Sequence, residues 1–153
     1  MPTHAETRIL PHTPDQMYDL VADIERYPEF LPWCVGLRVR KRWDNKIRAE
    51  MKVGFNVLRE TFSSEVTLTP RERIDVVYFE GPFRYLNNHW IFRPHGDGAC
   101  AIDFFIDFEF RSVMLQRLAG VVFNEAVKRM VSSFERRADV LYGSADKVND
   151  QPV

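Results

Sequence analysis

Cysteine is scarce: only Cys34 and Cys100 occur among 153 residues. Two cysteines cannot build the disulfide framework of a small secreted domain, and free structural thiols in a reducing compartment account for them. An excess of one charge is missing as well. Lysine and arginine number 21 against 22 aspartates and glutamates, a formal net charge of −1. That balance excludes coating nucleic acid through overall charge but leaves room for a local basic patch. No apolar run approaches the ~20 residues of a membrane span. The start, Met1 to Glu6, has no basic region followed by an apolar core, so a cytoplasmic protein without a leader is expected. Nucleophile-elbow, phosphate-loop and paired-cysteine redox motifs are absent. His4, His12, His89 and His95 have no metal-ligand spacing, so no metal site is expected and all four are placed at the surface.

What is present has the balance of a folded chain: 45% hydrophobic and 28% charged residues, at a length that suits one domain. The expected division is a domain over 1–143 and a disordered polar tail over 144–153. Thr13-Pro14-Asp15-Gln16 starts a helix: Thr at the cap, Pro in the first turn, Gln closing a capping box. Met17, Leu20, Val21 and Ile24 give that helix one apolar stripe. Pro28 and Pro32 restrict 25–31 to a short second helix at most. A short strand, Thr7 to Leu10, precedes both.

From Val35 to Phe110 the apolar period changes to two, the mark of strands with one buried face. Val35, Leu37 and Val39 alternate with Arg38 and Arg40, and Ile47, Ala49, Met51 and Val53 alternate with charged residues. Asp44-Asn45 suits the hairpin between these runs. Further strands are expected over 59–68, 73–80, 85–93 and 101–110. Their short connections make the neighbours antiparallel. Ser112 then caps a last helix reaching about Tyr142, roughly 45 Å long at 1.5 Å per residue, with Gly143 placed to end it.

Strand parity puts Ile102, Phe104, Ile106, Phe108 and Phe110 on one face with Trp90, Phe92, Tyr78, Val76, Phe62 and Val66. A solid aromatic core explains this face. A ligand cavity explains it too, because a strongly curved sheet leaves space that a single helix does not fill. Gly120, inside the last helix, fits close backbone packing or a gap left for something else. Asp103, Asp107, Glu109 and His89 fall on the outward parity. Glu60, Ser64, Glu80 and Asn88 share the inward parity, where they suit either a polar head group or edges that reach water. Val113, Met114 and Leu115 at the start of the last helix fit core packing or a mouth that dips into a bilayer.

Tyr27-Pro28-Glu29-Phe30-Leu31-Pro32-Trp33-Cys34, Gly81-Pro82-Phe83-Arg84-Tyr85-Leu86 with Trp90-Ile91-Phe92, and Phe134-Glu135-Arg136-Arg137-Ala138 together resemble the coenzyme Q-binding START-like family. That family includes the ribosome-association toxins and sits within the polyketide cyclase and lipid-transport superfamily. The resemblance implies an α+β helix-grip fold of the START/Bet v 1-like type. In it a curved antiparallel sheet of about seven strands surrounds a long C-terminal helix, with two short helices after the first strand. It implies binding of ubiquinone or another polyisoprenoid quinone as a lipid chaperone that supports respiratory electron transport. No required cofactor is expected, and a cytoplasmic protein of this kind has the option of peripheral contact with the cytoplasmic face of the inner membrane.

The candidate ligand-binding residues are Trp33, Phe55, Phe62, Tyr78, Phe83, Trp90, Phe92, Phe104 and Phe108 from the sheet side, with Val122, Phe123, Val127 and Met130 from the helix. The resemblance also carries an alternative, binding of the 50S ribosomal subunit to block subunit association. Arg38, Arg40, Lys41, Arg42, Lys46, Arg48 and Lys52 gather around one hairpin, as an RNA or anionic-lipid contact requires. A solvated outer face explains them equally well. A polyketide cyclase-like enzyme is a third reading. It is disfavoured because the ionisable groups point mostly away from the inward face, and no catalytic residue is assigned.

Overall fold

The structure is a computed structural model that describes residues 3–55 and 58–143, apart from the side chains of Phe55, Leu58, Val122 and Asn124. The polar tail expected over 144–153 lies outside the described residues, as do the side chains of Phe55 and Val122.

Seven antiparallel strands form one sheet: β1 (Thr3–Leu10), β2 (Cys34–Trp43), β3 (Lys46–Phe55), β4 (Leu58–Thr69), β5 (Arg73–Glu80), β6 (Phe83–Pro94) and β7 (Cys100–Phe110). Their order is β1-β7-β6-β5-β4-β3-β2. Strands β2 to β7 therefore follow one another as a meander, and β1 joins at the far edge beside β7. The chain leaves β1 at one edge and must reach β2 at the other. It does so through α1 (Pro14–Ala22) and a 3₁₀ helix (Ile24–Glu29). The expected capping box is present: Gln16 N donates to Thr13 Oγ1 at 3.1 Å and Thr13 N donates to Gln16 Oε1 at 2.9 Å.

The long helix α2 (Val113–Tyr142) starts on the Ser112 hydroxyl, which accepts from Leu115 N. It ends at Gly143, whose φ of 82° lies in the left-handed region and whose N–H donates to Asp139 O. α2 lies on the concave face of the sheet. Its second half fills the groove: Val127, Met130, Val131, Phe134 and Ala138 are all buried. Phe134 packs edge-on against Tyr27, Phe30 and Trp90, with centroids 5.3, 5.2 and 4.9 Å away.

Parity assigns the inner face correctly where the ladder is regular. Trp90 stands opposite Phe104, Phe92 opposite Ile102 and Leu86 opposite Phe108. Bulges overturn it elsewhere, because each extra residue flips the side chains that follow. A register shift between Cys34 and Gly36 buries Cys34 and turns Val35 out to 48% exposure, so Val35 does not share the face of Leu37. The histidines also need a correction. His12 is 2% exposed, because the turn after β1 tucks under the end of α2. There its Nε2 donates to Asp139 at 3.0 Å, and its ring faces Tyr142.

Gly120 departs from the close-packing reading. A Cβ built there meets nothing within 4 Å, and the residue faces solvent. Strand β1 is also longer than the four residues expected. Its outward threonines are tied to acids on β7, with Thr3 Oγ1 donating to Asp107 at 2.8 Å and Thr7 Oγ1 to Asp103 at 2.6 Å.

Candidate functional site: an apolar cavity under the long helix

Between the concave sheet and the first half of α2 lies a cavity of about 260 Å³. Its existence follows from side-chain size. The second half of α2 offers Met130 and Phe134 to the groove, whereas the first half offers Ala119 and Ala126 beside Phe123. Small residues there leave the sheet's concavity unfilled. Two buried clusters flank the space. One holds Trp90, Phe104, Val66 and Phe134, and the other Phe62, Phe83, Phe108 and Phe110.

Of the candidate ligand residues, the structure brings Trp33, Phe62, Phe83, Trp90, Phe104, Phe108, Phe123, Val127 and Met130 onto the wall of this cavity. Phe92 does not reach it. Its ring packs edge-on against Tyr18 of α1 at 5.8 Å, in solid core, because α1 and not the cavity covers that stretch of β6. Tyr78 is also off the wall, and its hydroxyl instead accepts from Phe83 N at 3.1 Å.

Phe83 reaches the cavity by way of a bulge. It lies three residues from Leu86, yet both point inward, because the register shifts between Phe83 and Tyr85. The turn before it requires glycine. Gly81 has φ 145°, and a Cβ there stands 2.7 Å from Phe62 Cβ.

Wall residues outside the candidate set include Tyr27 and Leu31 from the connection, and Leu37, Ala49, Met51 and Val53 from β2 and β3. The alternation of Ala49, Met51 and Val53 with charged residues carried the signal for the β3 positions. The Tyr27 hydroxyl donates to Val21 O, and burial raises the pKa of this phenol far above its ordinary value. Among the described residues Tyr27 is the single ionisable group on the wall. Ser64 and Asn88 are the other polar side chains there. Asn88 is engaged: Nδ2 donates to Phe105 O at 2.8 Å and Oδ1 accepts from Trp90 Nε1 at 3.2 Å. Of the two remaining inward-parity acids, Glu80 is exposed and Glu60 is off the wall.

The sequence strings at the two ends of the domain form one clasp beside the cavity. Arg137 Nη2 donates to Glu29 at 2.9 Å while the guanidinium lies over the Phe30 ring, 5.2 Å from its centroid. The acid of this pair is held below the ordinary carboxylate range, chiefly by the Arg137 hydrogen bond and then by Arg26. Cys34 and Cys100 are free and buried. Burial pushes each thiol up to about 11.

The basic hairpin is largely neutralised on the convex face. Arg40 pairs with Glu50 at 3.1 Å, Lys46 and Arg48 both reach Glu65 at 3.6 Å, and Arg42 pairs with Glu25. Arg48 also stacks over Phe79, and Lys41 lies over Trp43. Among the described residues Arg38 and Lys52 make no ion pair.

α2 has a second apolar stretch, on its outer side. Val113, Met114, Leu118 and Val121 face solvent, Met114 at 77% and Val121 at 83% exposure. From Glu125 to Arg136 the outer side is charged, with Glu125, Lys128, Arg129 and Arg136, before Val140 and Leu141 are exposed near its end.

One long helix held in the concavity of an antiparallel sheet, over an apolar cavity, defines the START-like helix-grip class of fold. Within it, the chain belongs to the polyketide cyclase / dehydrase and lipid transport family, whose model matches residues 10–135. The chain is 38% identical to the mitochondrial coenzyme Q-binding protein COQ10 homolog B of Xenopus laevis, over 92% of its own length and 59% of that relative's. It is 39% identical to the ribosome association toxin RatA of Rickettsia prowazekii, over 86% of its own length and 92% of the relative's. Among solved structures, an 18 kDa protein from Caulobacter crescentus is 40% identical with a TM-score of 0.76, covering 94% of this chain and all of that one. A Streptomyces aromatase/cyclase shares the fold alone, at 13% identity and TM-score 0.81, covering 90% of this chain and 93% of its own. The fold therefore also serves enzymes.

Proposed function

We propose that this protein binds a neutral polyprenyl lipid, a quinone such as ubiquinone, and acts as its chaperone in support of respiratory electron transport. The observation that carries this reading is the cavity wall. About 260 Å³ of space is enclosed almost wholly by aliphatic and aromatic side chains, with no Asp, Glu, Lys, Arg or His among the described wall residues. Apolar contents gain about 0.8 kcal/mol per buried CH₂, so two or three isoprene units reach the roughly 8 kcal/mol of micromolar affinity after ordering costs. At about 30 Å³ per water, the cavity equals roughly nine waters, enough for a head group and the start of a tail. The rest of a long tail lies outside.

Among the described wall residues the single ionisable group is Tyr27, whose hydroxyl is spent on Val21 O and whose phenol burial keeps protonated. That leaves general acid–base chemistry little to work with, so the reading is a carrier that needs no cofactor and not a cyclase. Partner contact is with a membrane, at the cytoplasmic face, through the outer apolar stretch of α2. Arg111 precedes that stretch and Arg117 lies within it, both exposed, as suits an anionic bilayer surface. No described helix is long and apolar enough to cross a membrane.

The test is native mass spectrometry with lipid extraction on gently purified protein. The expected result is a polyprenyl quinone near one per chain, lost in Phe104→Arg and in the gentler Ala126→Phe. An empty protein that also ignores added quinone overturns the reading. A second reading, association with the large ribosomal subunit, is supported by the similarity to the ribosome association toxin over 92% of its length. On the chain itself it rests on Arg38, Lys41 and Lys52, the hairpin cations outside the ion pairs. Failure to co-sediment with 50S subunits at low salt removes it.

A further inference from the structure

Ser64 is a polar side chain on the cavity wall with no hydrogen-bond partner among the described residues. It is 6% exposed and lies on β4 between Phe62 of one apolar cluster and Val66 of the other. Across the ladders it stands opposite Ala49 and Tyr78. Neither takes its hydrogen: Ala49 has no polar side-chain atom, and the Tyr78 hydroxyl accepts from Phe83 N instead. No hydrogen bond joins Ser64 Oγ to any described residue. The residue is buried from bulk solvent but its side chain lines the cavity, and alanine at the same position keeps nearly the same size without the hydroxyl. An ordered water is a poor partner for it, because a buried water needs two to four polar neighbours. Among the described residues the wall supplies Asn88, with one bond already at each end of its amide, and the Tyr27 hydroxyl, which donates to Val21 O.

We propose that Ser64 Oγ is the donor for a carbonyl oxygen of the bound lipid, fixing an uncharged head group midway along the cavity, between the two apolar clusters. This rests on the ligand-binding reading above and narrows its chemistry. A hydroxyl suits a neutral acceptor such as a quinone or ketone carbonyl. With no cation on the wall to pair with it, a carboxylate or phosphate head is turned away by the cost of burying its charge. Lipids with such heads keep them outside. Asn88 contributes as a positioning residue, holding the Trp90 indole by its N–H so that the ring faces the same space.

The experiment titrates wild type, Ser64→Ala and Ser64→Thr with decylubiquinone and, in parallel, with decylbenzene, which has the tail and a ring but no oxygen. The signal is fluorescence of Trp33 and Trp90 on the wall. Ser64→Ala is expected to weaken decylubiquinone about threefold to tenfold, the worth of one neutral hydrogen bond. It should leave decylbenzene unchanged or slightly tighter, and Ser64→Thr should restore quinone binding. Infrared spectra of the bound quinone supply a second readout: one carbonyl band is lowered in wild type and returns to its free position in Ser64→Ala. Equal quinone affinity in wild type and Ser64→Ala, with no band shift, overturns the assignment while leaving the cavity reading standing. If neither probe binds wild type, the cavity reading itself falls and takes this assignment with it.

Discussion

His12 and Asp139 join the two ends of the domain. His12 Nε2 lies 3.0 Å from the Asp139 carboxylate, with the imidazole 2% exposed and the acid about one-third exposed. The pair ties the turn after β1 to the last turn of α2, across 127 residues of sequence. His12→Ala leaves the acid without its partner and a hole beneath Tyr142. It is expected to lower stability by about 1–3 kcal/mol, seen as a lower urea midpoint at unchanged slope. An unchanged midpoint makes the contact incidental.

The two thiols give the protein an alkaline limit. Both are raised from 9.0 to about 11 by burial. Below pH 9 folded and unfolded thiols are alike protonated and nothing is lost. Between about 9 and 11 the unfolded thiols ionise first, so stability falls across that window. The thermal midpoint should drop over this range, and less steeply in a Cys34→Ala, Cys100→Ala double variant. Both thiols should also react with a maleimide at pH 8 at least about tenfold more slowly than free cysteine.

Gly120 is open to improvement. Nothing stands within 4 Å of a Cβ at this position, so Gly120→Ala should stabilise the protein by about 1 kcal/mol through helix propensity alone. A loss of stability means that α2 needs its flexibility there.

Filling the cavity separates binding from folding. Ala126 lines the cavity on α2, and Ala126→Phe places a ring where a ligand sits. The expected outcome is a folded protein with a higher melting temperature and no captured lipid. Retained lipid at full occupancy contradicts the cavity as the binding site.

The outer stretch of α2 is tested by charge. Met114→Glu with Val121→Glu should lower binding to anionic vesicles by tenfold or more, while short-chain quinone binding in solution stays as in wild type. Unaltered vesicle binding places membrane contact elsewhere.

How far the sequence reached depends on which physical rule governs each position. Trp90 and Phe104 were legible because they sit on uninterrupted ladders, where parity alone sets the face. Phe83 was found through its motif and not through parity, since the bulge before Tyr85 reverses the pattern. Phe92 had the right parity but the wrong cover, because alternation names a face and not the element lying on it. Burial of His12 left no periodic trace, depending on a contact 127 residues away. Ser64 was legible as an inward polar residue, but only the finished ladder shows that its neighbours offer it nothing.

The placement of β1 also fixes when the protein can be finished. Thr3 pairs with Asp107 and Leu10 with Cys100, so β1, made before the meander, waits for β7 before it has a strand partner. Until β7 appears β1 has no edge to join, and until α2 follows it the concave aromatic face of the meander stays wet. Closing so long a loop slows folding relative to local contacts. Pulse-labelling hydrogen exchange should therefore find the β1 amides protected in the final phase, with the meander already closed. Synthesis thus exposes the whole meander before β1 finds its place at the edge.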